Sequence, residues 1–373
     1  MRQNKAESTL RSLLSLAGVE VNGNQPHDIR IYDNRFYRRV LADGALGFGE
    51  SYMDGWWDCE ALDQFFYEVL RVNLDNEVKG NWKTQLQVLK YKIFNLQKTS
   101  RAYEVGEKHY DIGNDLYLAM LDKRLNYTCG YWKDAQNLDQ AQEAKLELVC
   151  KKLNLAAGMK ILELGCGFGS FAKYAAEKFN VEVTGLTVSK AQVELGTELC
   201  KGLPVKLKLE DYRNVSGSFD RVISIGIMEH VGYKNYRTYM KVVDRTLKKD
   251  GLAFIHTIGD NVSGTHANAW TEKYIFPNGM VPSIAQLGKA MERLFIMEDW
   301  HNFGPDYDKT LMAWYENFEN SWPDLKDKYG ERFYRMWKYY LLNCAGSFRA
   351  RAVQLWQIVL NRLGREQPDC RIN

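Results

Sequence analysis

Between residue 158 and about residue 260 the chain switches repeatedly between two hydrophobic periods. Short runs rich in Val, Ile and Leu (MKILELG, VEVTGLT, VKLKLED, FDRVISIGI, GLAFIHTIG) are separated by stretches whose apolar residues recur every three or four positions. The first pattern suits a strand buried on both faces, the second an amphipathic helix. Their alternation predicts an α/β fold, a doubly wound and mostly parallel sheet covered by helices on both faces. The helices are expected to end near 179, to run from Ser189 to about Lys201, and to reach 247. Two later apolar runs, RLFIMEDWH and QLWQIVLN, predict an antiparallel hairpin at one sheet edge, with a helix near 309–320 before the second.

Residues 1 to about 78 lack this alternation. Leu10, Leu13, Leu14 and Ala17 have helical spacing and are stopped by Gly18, and the Gly- and aromatic-rich LGFGESYMDGWWDCEALDQFF follows. Over residues 79–101, KGNWKTQLQVLKYKIFNLQKTSR places Trp82, Leu86, Leu89, Ile93 and Leu96 on one helical face. Lys79, Lys83, Lys90, Lys92, Lys98 and Arg101 supply charge there with no acid between them. Such a basic amphipathic helix either packs between domains or lies on anionic lipid headgroups. At 373 residues the chain exceeds the usual size of one core, so two domains are expected, 1–100 and 101–373.

With 45% hydrophobic and 26% charged residues the composition is that of a folded chain, and a net charge of +3 gives no case for a nucleic-acid partner. None of the seven cysteines stands in a CxxC pair, which argues against a disulfide framework or a zinc knuckle and for a reducing cytoplasm. No run approaches the roughly 20 apolar residues of a membrane span, so bilayer contact is expected to be peripheral.

After the first strand of the alternating region comes ILELGCGFGS, with Gly165, Gly167 and Gly169 leading into a helix and Glu163 near the strand end. Glycines there let the backbone turn tightly and a ligand approach a helix N-terminus. A dinucleotide fingerprint needs its third glycine at position 170, which is Ser170, and no Arg or Lys nearby replaces it. A glycine loop with a preceding acid suits a cationic, phosphate-free ligand such as S-adenosylmethionine. Cys166 lies inside that loop. Thr187, Gln192, Asp211 and Tyr212 follow later strands and fall on the carboxyl edge of the sheet, where such folds bind ligands. The acid often found after the second strand is absent.

The stretch VISIGIMEHVG is an apolar strand that ends in Glu229 and His230. Alone, that pair is compatible with a salt-bridged helix cap. Cys129, Glu229 and His256 are also all metal-ligand types, though no local ligand spacing joins them.

Taken together, HYDIGNDLY (109–117), NYTCGYW (126–132), LELGCGFG (162–169), MEHVG (228–232), HTIG (256–259), KYIFPNG (273–279), DWHNFGPDYD (299–308) and NCAGSFRAR (343–351) resemble the cyclopropane fatty acid synthases. The resemblance runs from the GESYMDGWW region to near the C-terminus. It implies an enzyme that adds a methylene from S-adenosylmethionine across the cis double bond of acyl chains in membrane phospholipids. It further implies that Tyr127 and Thr128 border the donor, with Thr128 where the family more usually has serine, and that Gly165 to Gly169, Thr187 to Gln192 and Asp211 hold it. Cys129, Glu229, His256, the backbone at Ile258, and Tyr307 match the family's bicarbonate-binding positions, and Cys344 a cysteine regarded as catalytic.

By the same resemblance the N-terminal part serves lipid access and formation of a homodimer. The protein would be cytoplasmic and associate with the inner face of the membrane, which favours lipid contact for 79–101. Alternatives are a related lipid methyltransferase that leaves a methyl-branched or hydroxylated acyl chain, and a non-catalytic membrane lipid-binding protein.

Overall fold

The computed structural model describes residues 2–72, 113–265 and 267–372. The basic stretch 79–101 lies outside the described residues, as does most of HYDIGNDLY. In chain order the elements are α1 (Arg2–Leu16), β1 (Arg30–Ile31), α2 (Arg35–Met53), β2 (Trp57–Asp58), α3 (Leu62–Arg71), α4 (Asn114–Met120) and α5 (Leu138–Lys152). Then come β3 (Lys160–Leu164), α6 (Ser170–Phe179), β4 (Glu182–Thr187), α7 (Lys190–Leu199), β5 (Val205–Leu209), β6 (Phe219–Ile225), α8 (Met228–Val231), α9 (Tyr236–Thr246) and β7 (Leu247–Asp260). The chain finishes with α10 (Ala269–Tyr274), α11 (Ile284–Met291), β8 (Phe295–Asn302), α12 (Pro305–Arg349) and β9 (Val353–Arg362). These elements group into two compact units. One comprises Met1–Met120, Ala267–Pro277 and Leu311–Ala352, the other Leu121–His266, Asn278–Thr310 and Val353–Asn373.

The second unit carries the expected α/β sheet, in the order β5-β4-β3-β6-β7-β9-β8. Strands β3 to β7 are mutually parallel, and β9 runs antiparallel to both β7 and β8. Alternation within each strand builds the core on both faces. Leu162, Leu164, Val222, Ala253, Ile255, Ile358 and Leu360 pack with Tyr239, Met240 and Val243 of α9 and Leu287 of α11. Their sequence neighbours Ile161, Ile223, Phe254 and Val359 face the other way, onto Leu146 and Val149 of α5 and Phe171 and Ala175 of α6. The two late runs do pair antiparallel, but α12 joins them in place of a hairpin turn, and β9 inserts between β7 and β8.

The helix expected near 309–320 is longer: α12 begins at Pro305, where proline has no hydrogen bond to lose, and extends to Arg349 across a break at Gly330 (φ 75°). Pro323 and Gly330 look like stop signals in sequence, which hides its length.

The first unit is an aromatic cluster. Phe48 and Trp57 ring centroids lie 4.4 Å apart, and Trp270 and Tyr339 4.5 Å apart. A Cβ on Gly49 would come within 2.3 Å of the Trp270 ring, so only glycine lets α2 and α10 approach this closely. The adjacent Glu50 ties the same elements together: its carboxylate accepts from Lys273 Nζ (2.7 Å), Tyr274 Oη (2.8 Å) and Arg39 Nη2 (2.5 Å). Burial alone would raise the Glu50 pKa, but these three donors hold it below the ordinary carboxylate value. Its stabilisation is therefore present above that ordinary value and is lost as pH falls through the lowered one. Glu50→Gln should leave Lys273 without its carboxylate and Arg39 with Asp54 alone, and cost about 3 kcal/mol in urea unfolding at neutral pH, with the deficit shrinking in acid.

Candidate active site

In the second unit β3 and β6 are neighbours, yet the chain continues from β3 to β4 on one side and from β6 to β7 on the other. The carboxyl ends of β3 and β6 therefore flank the crevice in which open α/β sheets take ligands. Three segments meet there. Gly165, at φ +75°, opens the loop after β3, and a Cβ on it would come within 1.9 Å of Ile227 Cδ1, so this loop lies against the turn after β6. Gly226, at φ +72°, makes that turn, and its Cβ would come within 2.8 Å of Thr128 Cγ2, so the 126–130 segment lies on its other side.

The glycine loop offers an open cradle. Gly167 has φ +52°, and nothing lies within 4 Å of where its Cβ would be. Gly169 caps the N-terminus of α6 in the left-handed conformation. Thr187 donates its hydroxyl hydrogen to Gln192 Oε1 (2.7 Å), which holds the ends of β4 and α7 together. Tyr127 and Thr128 are half-buried, and Cys166 is buried inside the loop. Tyr212 packs at a tilt against Tyr239, 5.6 Å between centroids. Asp211 is engaged by its neighbour, accepting from Arg213 Nη2 (2.6 Å) and Nε (2.9 Å). Glu163 is buried, its Oε2 has no partner, and burial pushes its pKa up to about 8, above any effect of Lys145. An open glycine face with a partnerless carboxyl oxygen behind it fits a cationic adenosyl ligand such as S-adenosylmethionine. Tyr127, Thr128, Gly165 to Gly169, Thr187, Gln192, Asp211 and Tyr212 are the residues that would hold it.

Glu229 departs from the sequence-based expectation. It does not terminate the strand: β6 stops at Ile225, and Glu229 lies in the single turn of α8, because the left-handed Gly226 ends the extended run. His230, which the sequence places with Glu229 at the strand end, is likewise a residue of that turn and is exposed. The Glu229 backbone carbonyl accepts from Met280 N–H (2.8 Å), and the Ile258 N–H donates to Oε1 (2.6 Å). The second oxygen, Oε2, is buried without a partner, and burial pushes the carboxyl pKa up to about 7.

His256 sits opposite Ile225 in the β6–β7 register, and its carbonyl accepts from Gly226 N–H (2.9 Å). Its ring is buried and neutral; burial first, then the charges of Lys145 and Lys152, holds its pKa well below the ordinary value. Gln357, its cross-strand partner, places Nε2 3.4 Å from His256 Nδ1. With Gln357 donating there, the ring proton resides on Nε2, which is buried and has no partner. The carboxyl ends of β6 and β7 thus carry one buried acceptor without a partner, Glu229 Oε2, and one buried donor without a partner, His256 Nε2.

Cys129 is fully buried. Its loop is tied to the start of α12: Gly130 N–H and Trp132 Nε1 both donate to Thr310 Oγ1 (3.0 and 2.9 Å), and Trp132 N–H donates to Asp306 Oδ2 (2.7 Å). Tyr307 is buried in that same first turn. Burial raises the Cys129 thiol well above its ordinary pKa. Cys344 belongs to the first unit, on α12, where loss of solvation pushes its thiol up to about 12. Neither is a thiolate at neutral pH, so neither has the charge of a nucleophile. Among the described residues no group of three or more His, Cys, Asp or Glu side chains is arranged to hold a metal ion.

Sequence reading missed three buried polar residues. Gln357 holds the His256 ring. Gln142 and Lys145, one turn apart on α5, grip the 126–128 segment: Gln142 Nε2 donates to Thr128 O (2.7 Å), and Lys145 Nζ to Thr128 Oγ1 (3.0 Å) and Asn126 Oδ1 (3.1 Å). Only an i, i+3 pair of polar residues on a helix face that also carries Leu146 and Val149 could have signalled them.

The sheet, the glycine loop and the crevice at the switch point define the class, an S-adenosylmethionine-dependent methyltransferase. Residues 97–358 match the family model described as mycolic acid cyclopropane synthetase. The chain is 52% identical over 350 residues to the cyclopropane-fatty-acyl-phospholipid synthase of Escherichia coli strain K12, covering 94% of this chain and 92% of that one. It superposes on the solved structure of mycolic acid cyclopropane synthase CmaA1 with SAH and CTAB at a TM-score of 0.64 and 29% identity, covering 68% of this chain and 96% of that one. For cyclopropane synthase MmaA2 from Mycobacterium tuberculosis the TM-score is 0.63 and the identity 27%, over 68% of this chain and 95% of that one. The chain belongs to the cyclopropane synthase family of S-adenosylmethionine-dependent lipid methyltransferases.

The glycines make separable predictions. Gly167→Ala adds backbone strain alone, about 1–2 kcal/mol, whereas Gly165→Ala adds the same strain and a collision with Ile227. Thermal melting should place the Gly165 variant clearly below the Gly167 variant. Equal melting temperatures would mean that the two loops do not touch.

Proposed function

We propose that the enzyme places a methylene across the cis double bond of unsaturated acyl chains in membrane phospholipids, with bicarbonate as the base that closes the ring. The observation that carries this reading is that a buried acceptor, Glu229 Oε2, and a buried donor, His256 Nε2, are both left without partners on segments joined at the carboxyl ends of β6 and β7. S-adenosylmethionine supplies the methyl group, whose transfer to an alkene leaves a carbocation on the acyl chain. Tyr127, Thr128 and the glycine loop hold the donor against the alkene, a positioning effect worth several kcal/mol.

Closure needs a proton removed from the transferred methyl. Glu229 is poorly suited to take it directly, since a carboxylate touching the cation would be alkylated to an ester. Glu229 Oε2 is suited instead to accept the hydroxyl hydrogen of a bicarbonate ion, and His256 Nε2–H to donate to one of its other oxygens. Cys129, the Ile258 backbone and Tyr307 complete the shell in this reading. Aromatic faces can stabilise such a cation without reacting with it.

In the same proposal residues 1–100 serve lipid access and dimerisation, and 101–373 catalysis. The basic stretch 79–101 contacts an anionic membrane surface at the cytoplasmic face, and Cys344 acts as a protonated group rather than a nucleophile. No helix among the described residues is long and apolar enough to cross a membrane, and a peripheral contact is consistent with that.

Glu229→Gln tests the base-holding role with purified enzyme and vesicles of cis-monounsaturated phospholipid. Ring formation should fall about a thousandfold, while S-adenosylmethionine affinity stays within about threefold. Acyl products should gain one methylene and lose the double bond with wild-type enzyme. Collapse of donor binding in the variant would remove Glu229 from this role, and a branched or hydroxylated wild-type product would favour a different quench of the same cation.

A further inference from the structure

Lys145 is 1% exposed, on the inner face of α5. Its Nζ donates to Asn126 Oδ1 (3.1 Å) and Thr128 Oγ1 (3.0 Å), both neutral acceptors, and it forms no ion pair with a carboxylate of the described residues. Lys152, two turns along the same helix, is equally buried but is matched by Asp299 at 2.6 Å, with His301 Nδ1 at 3.2 Å. The nearest acid to Lys145 along its hydrogen bonds is Asp122, one amide removed: Asn126 Nδ2 donates to Asp122 Oδ2 (2.9 Å). An isolated buried ammonium is costly and ordinarily acquires a counter-ion.

The acids around Lys145 compensate it only through space, Asp122 foremost, followed by Cys129 and Glu163. Burial raises the carboxyls of Asp122, Glu163 and Glu229, and the Cys129 thiol, toward their neutral forms. Burial also keeps His256 neutral. Yet the field of Lys145 reaches both Cys129 and His256, and on His256 it exceeds that of Lys152. Thr128, which Lys145 holds, immediately precedes Cys129 in the chain. A loop anchor by itself would need only a neutral donor. Lys145 instead brings a buried ammonium, its pKa lowered by burial to about 8, to the turn that carries Cys129.

We propose that Lys145 is the fixed counter-charge of the oxyanion pocket, anchoring the Thr128–Cys129 turn and setting the affinity of that pocket for a small monovalent oxyanion. The assignment rests on the bicarbonate reading above and adds to it the residue that balances the ion's charge. Glu229 and His256 supply the directional hydrogen bonds. Lys145 acts through space, as a positioning residue and not as a partner in proton transfer.

The test uses the full-length enzyme and vesicles of cis-monounsaturated phosphatidylethanolamine and phosphatidylglycerol, in CO2-depleted buffer with bicarbonate added back. Three substitutions separate charge from hydrogen bonding. Lys145→Met removes both, Lys145→Gln removes the charge and keeps a donor for Asn126 and Thr128, and Lys145→Arg keeps the charge. Met and Gln should each raise the bicarbonate KM about tenfold, with kcat largely recovered at saturating bicarbonate, and Arg should stay within about threefold of wild type. The KM for S-adenosylmethionine should hold in the Gln variant.

Should the Met variant fail to fold, the Gln variant alone answers the question. A folded Gln variant with the wild-type bicarbonate KM overturns the assignment, and so does an Arg variant that loses as much as Gln. Wild-type enzyme whose rate ignores bicarbonate depletion would instead remove the oxyanion reading, and the role of Lys145 with it.

Discussion

The bond from the Ile258 N–H to Glu229 Oε1, 2.6 Å long, is the constraint on which the rest of the site depends. It joins the turn after β6 to the last part of β7, and it satisfies one carboxylate oxygen while leaving the other buried and partnerless. That asymmetry requires the parallel β6–β7 register, which puts Ile225 beside His256, and the left-handed Gly226, which ends the strand early enough for Glu229 to turn back. A strand continuing to 229 would alternate the side chain away from the ladder's edge. Sheet register, one glycine and one backbone donor thus decide where the carboxylate can act.

The buried charges follow the same logic. Lys152 and Asp299 form a close pair that links α5 to β8 and leave nothing over. Glu163, Glu229 and Lys145 are each buried with incomplete compensation, and all three cluster around the carboxyl ends of β3 and β6 and the 126–129 segment. Uncompensated groups in one place are a cost to folding that is repaid only if a ligand completes them, which is why perturbed titratable groups mark functional sites. A cationic donor on the glycine-loop side and a small oxyanion on the Glu229–His256 side would complete both halves.

Much of this was legible in the sequence, for physical reasons that differ from element to element. The strands and helices of the sheet could be read because a core on both faces makes its inner strands short continuous apolar runs, set apart from the three- and four-residue spacing of the helices. The glycine loop could be read because tight turns leave few alternatives to glycine. The turn at Glu229 could not, since MEHV is as compatible with an extended run as with one helical turn, and tertiary contact with Ile258 and Met280 decides. The length of α12 was hidden by Pro323 and Gly330. The make-up of the first unit, in which Glu50 is bonded to Lys273 and Tyr274 from far along the chain, leaves no periodic trace at all. Lys145 was invisible because a lysine in a helix is ordinarily a surface residue; only its burial gives it meaning.

The central claim is that Glu229 and His256 hold a bicarbonate ion between them. The most direct measurement is a crystal structure of the protein grown with S-adenosylhomocysteine and bicarbonate, refined without an ion in the pocket until the end. Planar density for a three-oxygen ion within hydrogen-bond distance of both Glu229 Oε2 and His256 Nε2 is the expected result. A single water at that point, or a direct bond between the two side chains, would contradict the account.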